Sequence, residues 1–204
     1  MNSYLEKPFS KGYLNVASAS TYTEGITRIE PVAGKRVAVV GVEASAGSSA
    51  KTVVVIMAQA GPETTFAAAA ASGASVMYLS GTAKTAEDTP GDTGLKDTLC
   101  IDKGDGTYLW EEASALGNSS HKLTIKGGLG AAIAAGAKIW NLGTAKLTGN
   151  PRFEIFTSTS KKFENAGGLW YGKGLGRPAI IQVDNNQTKK KATLKYIYGG
   201  YIEV

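Results

Sequence analysis

Two glycine-containing segments have residue types that could bind phosphate. Gly47-Ser-Ser-Ala-Lys51-Thr52 ends like a P-loop, but Ala50 stands where that loop needs a glycine, and a β-branched run follows where a helix is required. Gly127-Gly-Leu-Gly130 begins like a dinucleotide-binding turn, but Ile133 occupies the third glycine position and no alternating strand–helix units surround it. Neither segment predicts a nucleotide site.

The acidic residues and the histidine form no catalytic or metal-binding pattern. Asp102 and Asp105, near Glu111 and Glu112, lack the alternating acidic spacing of a calcium loop, so we predict a solvated turn. A Ser-His-Asp triad or a histidine-ligated metal would need His121, the single histidine, and the sequence has no Gly-x-Ser-x-Gly elbow. A carboxylate pair for glycan hydrolysis stays open, because any two acids can meet in a fold. We therefore predict no enzyme, no cofactor and no metal site.

Two other groups of residues could contact a partner. Three lysines in a row precede the last predicted strand, either as a solvated hairpin tip or as a contact with an acidic surface. Apolar residues in segment 1–25 follow neither a helical nor a two-residue period, which indicates either an extended arm with aromatic anchors or a first edge strand and a loop. The predicted partner contacts are Tyr4, Leu5, Phe9, Tyr13, Lys189, Lys190 and Lys191.

Composition limits the class of protein. The chain has 204 residues, enough for one sizeable core or two small ones, and its 26 glycines favour tight turns over long helices. A net charge of +5, spread along the chain, does not predict a nucleic-acid groove. One cysteine, Cys100, excludes an internal disulfide and a cysteine-based zinc site. With no signal peptide and no membrane-spanning run in the sequence, we expect synthesis in a cytoplasm and no membrane contact.

The elements that position these residues are predicted to be mainly strands. β-Branched and apolar runs predict strands at 26–32, 35–43, 51–59, 75–79, 97–102, 107–111, 122–126, 138–142 and 152–157, with further strands to the end of the chain. Strands 35–43 and 51–59 could pair as a long-looped hairpin, and Lys-Gly-Asp-Gly predicts a turn between 97–102 and 107–111. Alanine-rich runs predict a short helix at Thr64–Ser72 and either a second short helix or a packed loop at Leu129–Ala135.

The closing strand carries three tyrosines. Tyr196 and Tyr198 share one face by their two-residue spacing, and a bulge at Gly199-Gly200 would let Tyr201 join them, as core or as an interface. We predict an N-terminal arm over 1–25 and a single β domain over 26–204. Similar segments near 73–84 and 136–146 raise the alternative of two related halves, 26–115 and 116–204, against chance similarity.

A family resemblance rests on the final strand, Ala192–Val204, and on the Gly-Leu-Trp-Tyr-Gly-Lys-Gly-Leu-Gly-Arg-Pro loop before it. In these segments the chain resembles small virion proteins of tailed bacteriophages, such as head decoration (cement) proteins and related accessory β-sandwiches. The resemblance implies a mainly β sandwich, jelly roll or barrel that is made in the host cytoplasm and resides in the virion. Such a protein would form homo-oligomers and stabilise a lattice by binding other virion proteins, such as the major capsid protein, without catalysis.

The alternative function is a carbohydrate- or surface-binding β-module. It would use Trp110, Trp140, Trp170 and the tyrosines as stacking platforms, and it requires at least one solvent-exposed tryptophan beside polar groups. A glycan hydrolase is the third hypothesis.

Overall fold

The computed structural model describes residues 6–16, 23–45, 53–83, 97–117, 119–143, 152–155, 161–164, 169–172, 174–185 and 192–202. These residues form strands, turns and bends and contain no helix. The prediction of a mainly β protein is therefore confirmed. No helix in the described ranges has the length and apolar character needed to cross a membrane.

The described strands number fifteen. In chain order they are β1 (Glu6–Val16), β2 (Thr23–Ile29), β3 (Arg36–Ser45), β4 (Val53–Gln59), β5 (Thr64–Thr65), β6 (Val76–Tyr78), β7 (Thr98–Asp102), β8 (Tyr108–Leu116), β9 (Lys122–Ile125), β10 (Lys138–Asn141), β11 (Arg152–Ile155), β12 (Lys161–Glu164), β13 (Trp170–Tyr171), β14 (Ala179–Asn185) and β15 (Ala192–Ile202).

The chain divides into two compact units. Unit 1 combines residues 1–58 with residues 148–204, and unit 2 is the continuous segment 59–147. Unit 1 contains a sheet in the order β1-β15-β3-β12, in which β13 also pairs with β3, and a second sheet in the order β11-β4-β14-β2. Strands β3 and β4 lie in different sheets, so the hairpin predicted between them is wrong.

The core of unit 1 lies between its two sheets. The first sheet contributes buried side chains from β3 and β15, and the second contributes buried side chains from β2, β4 and β14. Two sheets that bury a shared apolar layer form a sandwich, as predicted. Tyr201 belongs to this layer, and its hydroxyl donates a hydrogen bond of 2.7 Å to the Glu30 carbonyl oxygen.

A bulge in β3 keeps the apolar side chains of this strand on the core face. Val37 and Val39 face the core before the bulge, and Val42 and Ala44 face it afterwards, so one extra residue has changed the two-residue period. The β3–β15 register shifts at that point, between Tyr198 and Gly199 on β15. The predicted irregularity at the glycine pair is therefore present, with the extra residue on β3.

The bulge does not bring Tyr201 to the face of Tyr198. Tyr201 packs in the same buried cluster as Ile197, four residues earlier on β15, as simple alternation along an unbroken strand requires. The expectation that the three tyrosines share one face is therefore wrong for Tyr201, which is a core residue.

The sheet of unit 2 closes on itself. Its strand order is β5-β10-β7-β8-β9-β6, and its two end strands are joined through a bridge between Phe66 and Leu79. Beside this bridge, Ala67 N donates to the Tyr78 carbonyl oxygen (2.9 Å) and Ser80 N donates to the Thr65 carbonyl oxygen (2.8 Å). Closure removes both edges of the sheet.

Buried side chains from the strands and from the segments between them fill the interior of the closed sheet. The buried cluster comprises Phe66, Met77, Leu79, Ala83, Leu99, Ile101, Ala113, Leu116, Leu123, Ile125, Leu129, Ile133 and Ile139. The β7–β8 hairpin is antiparallel and pairs Thr98 with Glu112 and Asp102 with Tyr108, which confirms the predicted turn between these strands.

The helix predicted for the first alanine-rich run is wrong, and the second run forms the alternative structure, a packed loop. In the first run, Thr64–Thr65 is strand β5, and the backbone of Ala70 exchanges hydrogen bonds with that of Ile133 (2.9 and 2.8 Å). Ile133 belongs to the second run, so the two runs pair with each other. An isolated helix of this length is marginal in water, and burial of Phe66 and Ile133 in the closed sheet overrides alanine's helix propensity.

Candidate functional site

Most of the predicted partner contacts lie outside the described residues. This is true of Tyr4, Leu5, Lys189, Lys190 and Lys191. Phe9 and Tyr13 lie on β1, where Phe9 pairs with Gly199 of β15. Segment 1–25, offered as an arm or an edge strand, thus contains a strand over Glu6–Val16 that is paired within the chain.

Strand β1 is an end strand of its sheet. One side of it pairs with β15 from Glu6↔Tyr201 to Val16↔Ala192, and the described residues place no strand on its other side. A sheet edge of eleven residues presents unpaired backbone donors and acceptors over roughly 34 Å. Pro8 lies in the strand, and proline is compatible with an edge position because it lacks an N–H.

The register separates the predicted contacts into two groups. Leu5 immediately precedes Glu6, which pairs with Tyr201, whereas Lys191 immediately precedes Ala192, which pairs with Val16. The two groups therefore attach to opposite ends of the β1–β15 ladder.

The glycine-rich turn after β9 is occupied by a carboxylate of the chain itself. Gly130 N donates a 2.8 Å hydrogen bond to Glu111 Oε1, in the place where a phosphate oxygen would bind. Gly128 has φ +84°, and a Cβ atom there would lie 2.6 Å from the Gly73 carbonyl oxygen. These glycines therefore serve close backbone packing. The P-loop-like segment 47–52 lies outside the described residues.

The acidic turn between β7 and β8 uses its carboxylates internally. Asp102 Oδ1 accepts from Gly104 N (2.8 Å), and Asp105 Oδ1 accepts from the hydroxyl and the N–H of Thr107. The hydrogen bond from the Thr107 hydroxyl, followed by that from its N–H, lowers the pKa of the Asp105 carboxyl. Among the described residues no group of three or more histidine, cysteine or acidic side chains is arranged to hold a metal ion.

His121 lies in the turn between β8 and β9. It has φ 51°, in the left-handed region, and its Nε2 is 3.4 Å from the Thr82 hydroxyl. Its backbone carbonyl oxygen accepts from Leu79 N (2.9 Å), which fixes the turn against the end of β6. The contacts of this histidine are those of a turn residue.

A buried polar cluster joins chain segments at one end of unit 2. The carboxylate of Asp97, 1% exposed, accepts a 3.0 Å hydrogen bond from Asn141 Nδ2, which also lies 3.4 Å from the Ala83 carbonyl oxygen. Asn141 Oδ1 accepts from Gly143 N (2.7 Å). Sequence reasoning missed this cluster, because residues 83, 97 and 141 are far apart in the chain.

The tryptophans do not form an open platform. Trp140 is 3% exposed, its ring centroid lies 6.3 Å from that of Tyr108, and its Nε1 has no hydrogen-bond partner among the described residues. Trp110 and Trp170 are half-buried, and Trp170 packs against the core of unit 1. The exposed tryptophan that a glycan-binding module requires is therefore not present, although Tyr78 on β6 is 57% exposed.

The loop between β13 and β14 exposes apolar side chains. Tyr171 is 42% exposed and Leu175 is 49% exposed, whereas Trp170 packs inward. The loop is held against the turn before β3, where Gly176 N donates to the Lys35 carbonyl oxygen (2.8 Å). In the sequence, this loop is marked only by the family resemblance.

No protein-family model matches the chain, and no curated protein matches it. Among solved structures, the chain is similar to the VP16–VP17 complex of the two major capsid proteins of bacteriophage P23-77, with 10% identity and a TM-score of 0.22 over 89% of this chain and 100% of that one. It is also similar to VP17, a capsid protein of the same bacteriophage, with 12% identity and a TM-score of 0.22 over 90% of this chain and 98% of that one. Likeness at this level assigns the chain to no family.

Proposed function

We propose that the chain is a non-catalytic structural protein of a bacteriophage particle, which binds other virion proteins and stabilises their lattice. The observation that carries this proposal is the long edge of β1 in unit 1. A partner strand can add to such an edge through main-chain hydrogen bonds, the mode of recognition called β-augmentation. The predicted contacts, Tyr4, Leu5, Phe9, Tyr13 and Lys189–Lys191, would flank or lie on this edge.

The hydrogen bonds that the carboxylates form within the chain support a non-catalytic role. The Glu111 carboxylate binds the glycine-rich turn, Asp102 and Asp105 bind their own turn, and Asp97 binds Asn141. Catalysis needs groups that converge on a reacting atom. In the described ranges these carboxylates instead hold backbone and side-chain groups of the chain in place.

A proline scan of β1 from Gly12 to Val16 tests the proposal. Consecutive N–H groups of a strand point to opposite sides, so alternate substitutions remove either a bond to β15 or an outward donor. We expect the inward class to lower the melting temperature. The outward class should leave it unchanged but abolish co-sedimentation of the chain with virus particles on a density gradient.

Two further variants test the predicted contacts. Tyr4→Ala with Leu5→Ala, and Lys189, Lys190 and Lys191 all changed to Gln, should each weaken co-sedimentation without changing the melting temperature. The proposal is wrong if particles form while the wild-type chain stays with soluble protein at the top of the gradient. It is also wrong if the outward proline class co-sediments as well as the wild type.

A further inference from the structure

A second surface of unit 1 combines exposed apolar side chains with arginines. We define it as the β13–β14 patch, comprising Tyr171, Leu175, Arg36 and Arg177. Its two apolar members are each more than two-fifths exposed, and they are two of the four exposed large hydrophobic side chains among those whose burial the structure describes. The other two, Val76 and Tyr78, lie on β6 of unit 2.

Strand pairing brings Tyr171 and Arg36 to the same face of the sheet. Tyr171 pairs with Ala38 of β3, and Arg36 is two residues from Ala38 on the same strand. Val37 and Val39, the intervening and following residues, face the core, so Arg36 and Ala38 face away from it. Diagonal neighbours of this kind lie about 7–8 Å apart, within reach of one binding segment.

Arg177 is directed across the loop by a glycine. A Cβ atom built on Gly174 would lie 2.3 Å from Arg177 Nε and 2.5 Å from its Cδ, so the arginine side chain lies directly over the Gly174 backbone. Leu175, the next residue in the chain, is exposed. The neighbouring Gly176 has φ +61° and approaches Ala33, where its Cβ would lie 3.7 Å from the Ala33 Cα.

The patch has an excess of positive charge. Neither Arg36 nor Arg177 forms an ion pair with a described carboxylate, and the buried Arg36 Nε has no hydrogen-bond partner among the described residues. An anionic ligand would complement these two guanidinium groups.

We propose that the β13–β14 patch binds an acidic segment of a second protein that also carries an apolar side chain, an inference that rests on the proposed function because it gives the chemistry of one virion partner. Tyrosine and arginine are enriched at protein interfaces, and complementary charge favours the correct partner. An exposed aliphatic side chain such as Leu175 offers nothing to a phosphate backbone. The patch therefore fits an acidic polypeptide better than a nucleic acid.

Fluorescence anisotropy with the full chain tests this inference. The probe is a labelled peptide of about a dozen residues alternating Glu and Leu, compared with the same peptide carrying Lys for Glu and with a single-stranded DNA of similar length. We expect the acidic peptide to bind and the basic one not to bind. Arg177→Glu and Leu175→Ser should each weaken binding by about tenfold or more, the range of interface anchors.

Two further variants separate the effect of the Arg177 side-chain position from the effect of charge. Gly174→Ala changes no charge but displaces the flexible end of Arg177, so it should weaken peptide binding about threefold while the protein stays folded. A matched control on unit 2, Tyr78→Ser with Lys122→Glu, removes another exposed tyrosine and reverses another exposed charge. It should leave peptide binding unchanged.

Three results would overturn the inference. They are equal binding of the acidic and basic peptides, equal loss in the patch and control variants, or tighter binding of DNA than peptide with no effect of Leu175→Ser. Circular dichroism of every variant confirms that it is folded. Because the assay contains no particle, its failure leaves the β1 co-sedimentation test standing, and failure of that test leaves this assay interpretable.

Discussion

Unit 2 closes its sheet on itself, whereas unit 1 ends one of its sheets in a long strand with no second partner in the described ranges. In unit 2 the two end strands meet through Phe66 and Leu79. In unit 1, β15 is the one described strand that pairs with β1. The difference separates a self-contained module from a unit that can accept another chain.

The two units also differ in how far apart in the sequence their paired residues lie. Unit 2 is one continuous segment, 59–147, with hairpins such as β7–β8. Unit 1 pairs Glu6 with Tyr201, and Tyr201 also donates to the Glu30 carbonyl oxygen. Its sheet therefore needs both ends of the chain. Substitutions in unit 2 should lower its stability by disrupting the packed interior. Substitutions in unit 1 should do so by breaking hydrogen bonds between distant segments.

Phe66→Ala should cause the largest loss. Phe66 is 1% exposed and belongs both to the core of unit 2 and to the bridge that closes the sheet. Truncation of a buried phenylalanine costs about 3–5 kcal/mol of unfolding free energy. Denaturant unfolding measures this loss, with Leu175→Ala as an exposed control. A loss as small as that of the control would mean that this residue does not hold the closed sheet together.

Asn141→Ala should have the second largest effect. It removes two donors and an acceptor from the buried cluster and leaves Asp97 without one of its hydrogen bonds. Breaking such a buried polar network should cost about 2–3 kcal/mol. Urea unfolding of Asn141→Ala, Asp97→Ala and the double variant measures the coupling between the two side chains. If their separate losses simply add, the cluster does not act as a unit.

Tyr201→Phe should have a moderate effect on unit 1. The ring remains in the core, but the hydrogen bond to the Glu30 carbonyl oxygen is lost. A neutral hydrogen bond of this kind contributes about 1 kcal/mol. Thermal unfolding checks the value against Tyr78→Phe, which changes an exposed tyrosine of unit 2. Equal melting temperatures for these two variants would show that the link across 171 residues adds nothing to stability.

Lys126→Met should have one of the smallest effects. Lys126 Nζ lies 3.1 Å from Glu112 Oε1, but both side chains are substantially exposed. Exposed ion pairs contribute about 0–1 kcal/mol, and salt weakens them. Thermal unfolding at low and high salt should show a difference of at most a few tenths of a kcal/mol that fades with salt. A larger, salt-independent loss would contradict this assignment of stability to the interior of unit 2.

The turn at Asp105 gives a pH dependence. Its folded pKa lies below the ordinary value of 3.8, so the ionised carboxylate stabilises the turn above that value, and the contribution is lost as pH falls through the folded pKa. Thr107→Val removes the hydroxyl that contributes most to the shift and should move the pKa upward. NMR titration of the Asp105 carboxyl carbon measures both values, and an unchanged pKa in Thr107→Val would contradict the assigned cause.

Local sequence patterns predicted much of the strand content. The runs at 35–43, 122–126 and 138–142 correspond to β3, β9 and β10, because β-branched residues in short apolar runs favour pleated structure. The turn between β7 and β8 followed from its Asp-Gly pair. The glycine pair at 199–200 also marked the position of the register shift.

Pairing between distant segments could not be predicted in this way. The alanine run at 67–71 favours a helix locally, but its backbone bonds to Tyr78 and Ile133, and no local pattern shows that these segments meet it. The same limit applies to the Asp97–Asn141 cluster and to the pairing of β1 with β15. The contact of Arg177 with Gly174 could not be predicted either, because only the folded loop brings these two residues together.

Amide hydrogen exchange, measured residue by residue by NMR on the isolated chain, is the most direct test. It compares the open edge in unit 1 with the closed sheet in unit 2. In unit 2, Leu79 N and Ser80 N bond to opposite neighbours, His121 and Thr65, so both consecutive amides should exchange slowly. Along Gly12–Val16 of β1, slow and fast amides should alternate, because every second N–H points away from β15. Uniformly slow exchange along β1, or fast exchange at Ser80, would contradict the account.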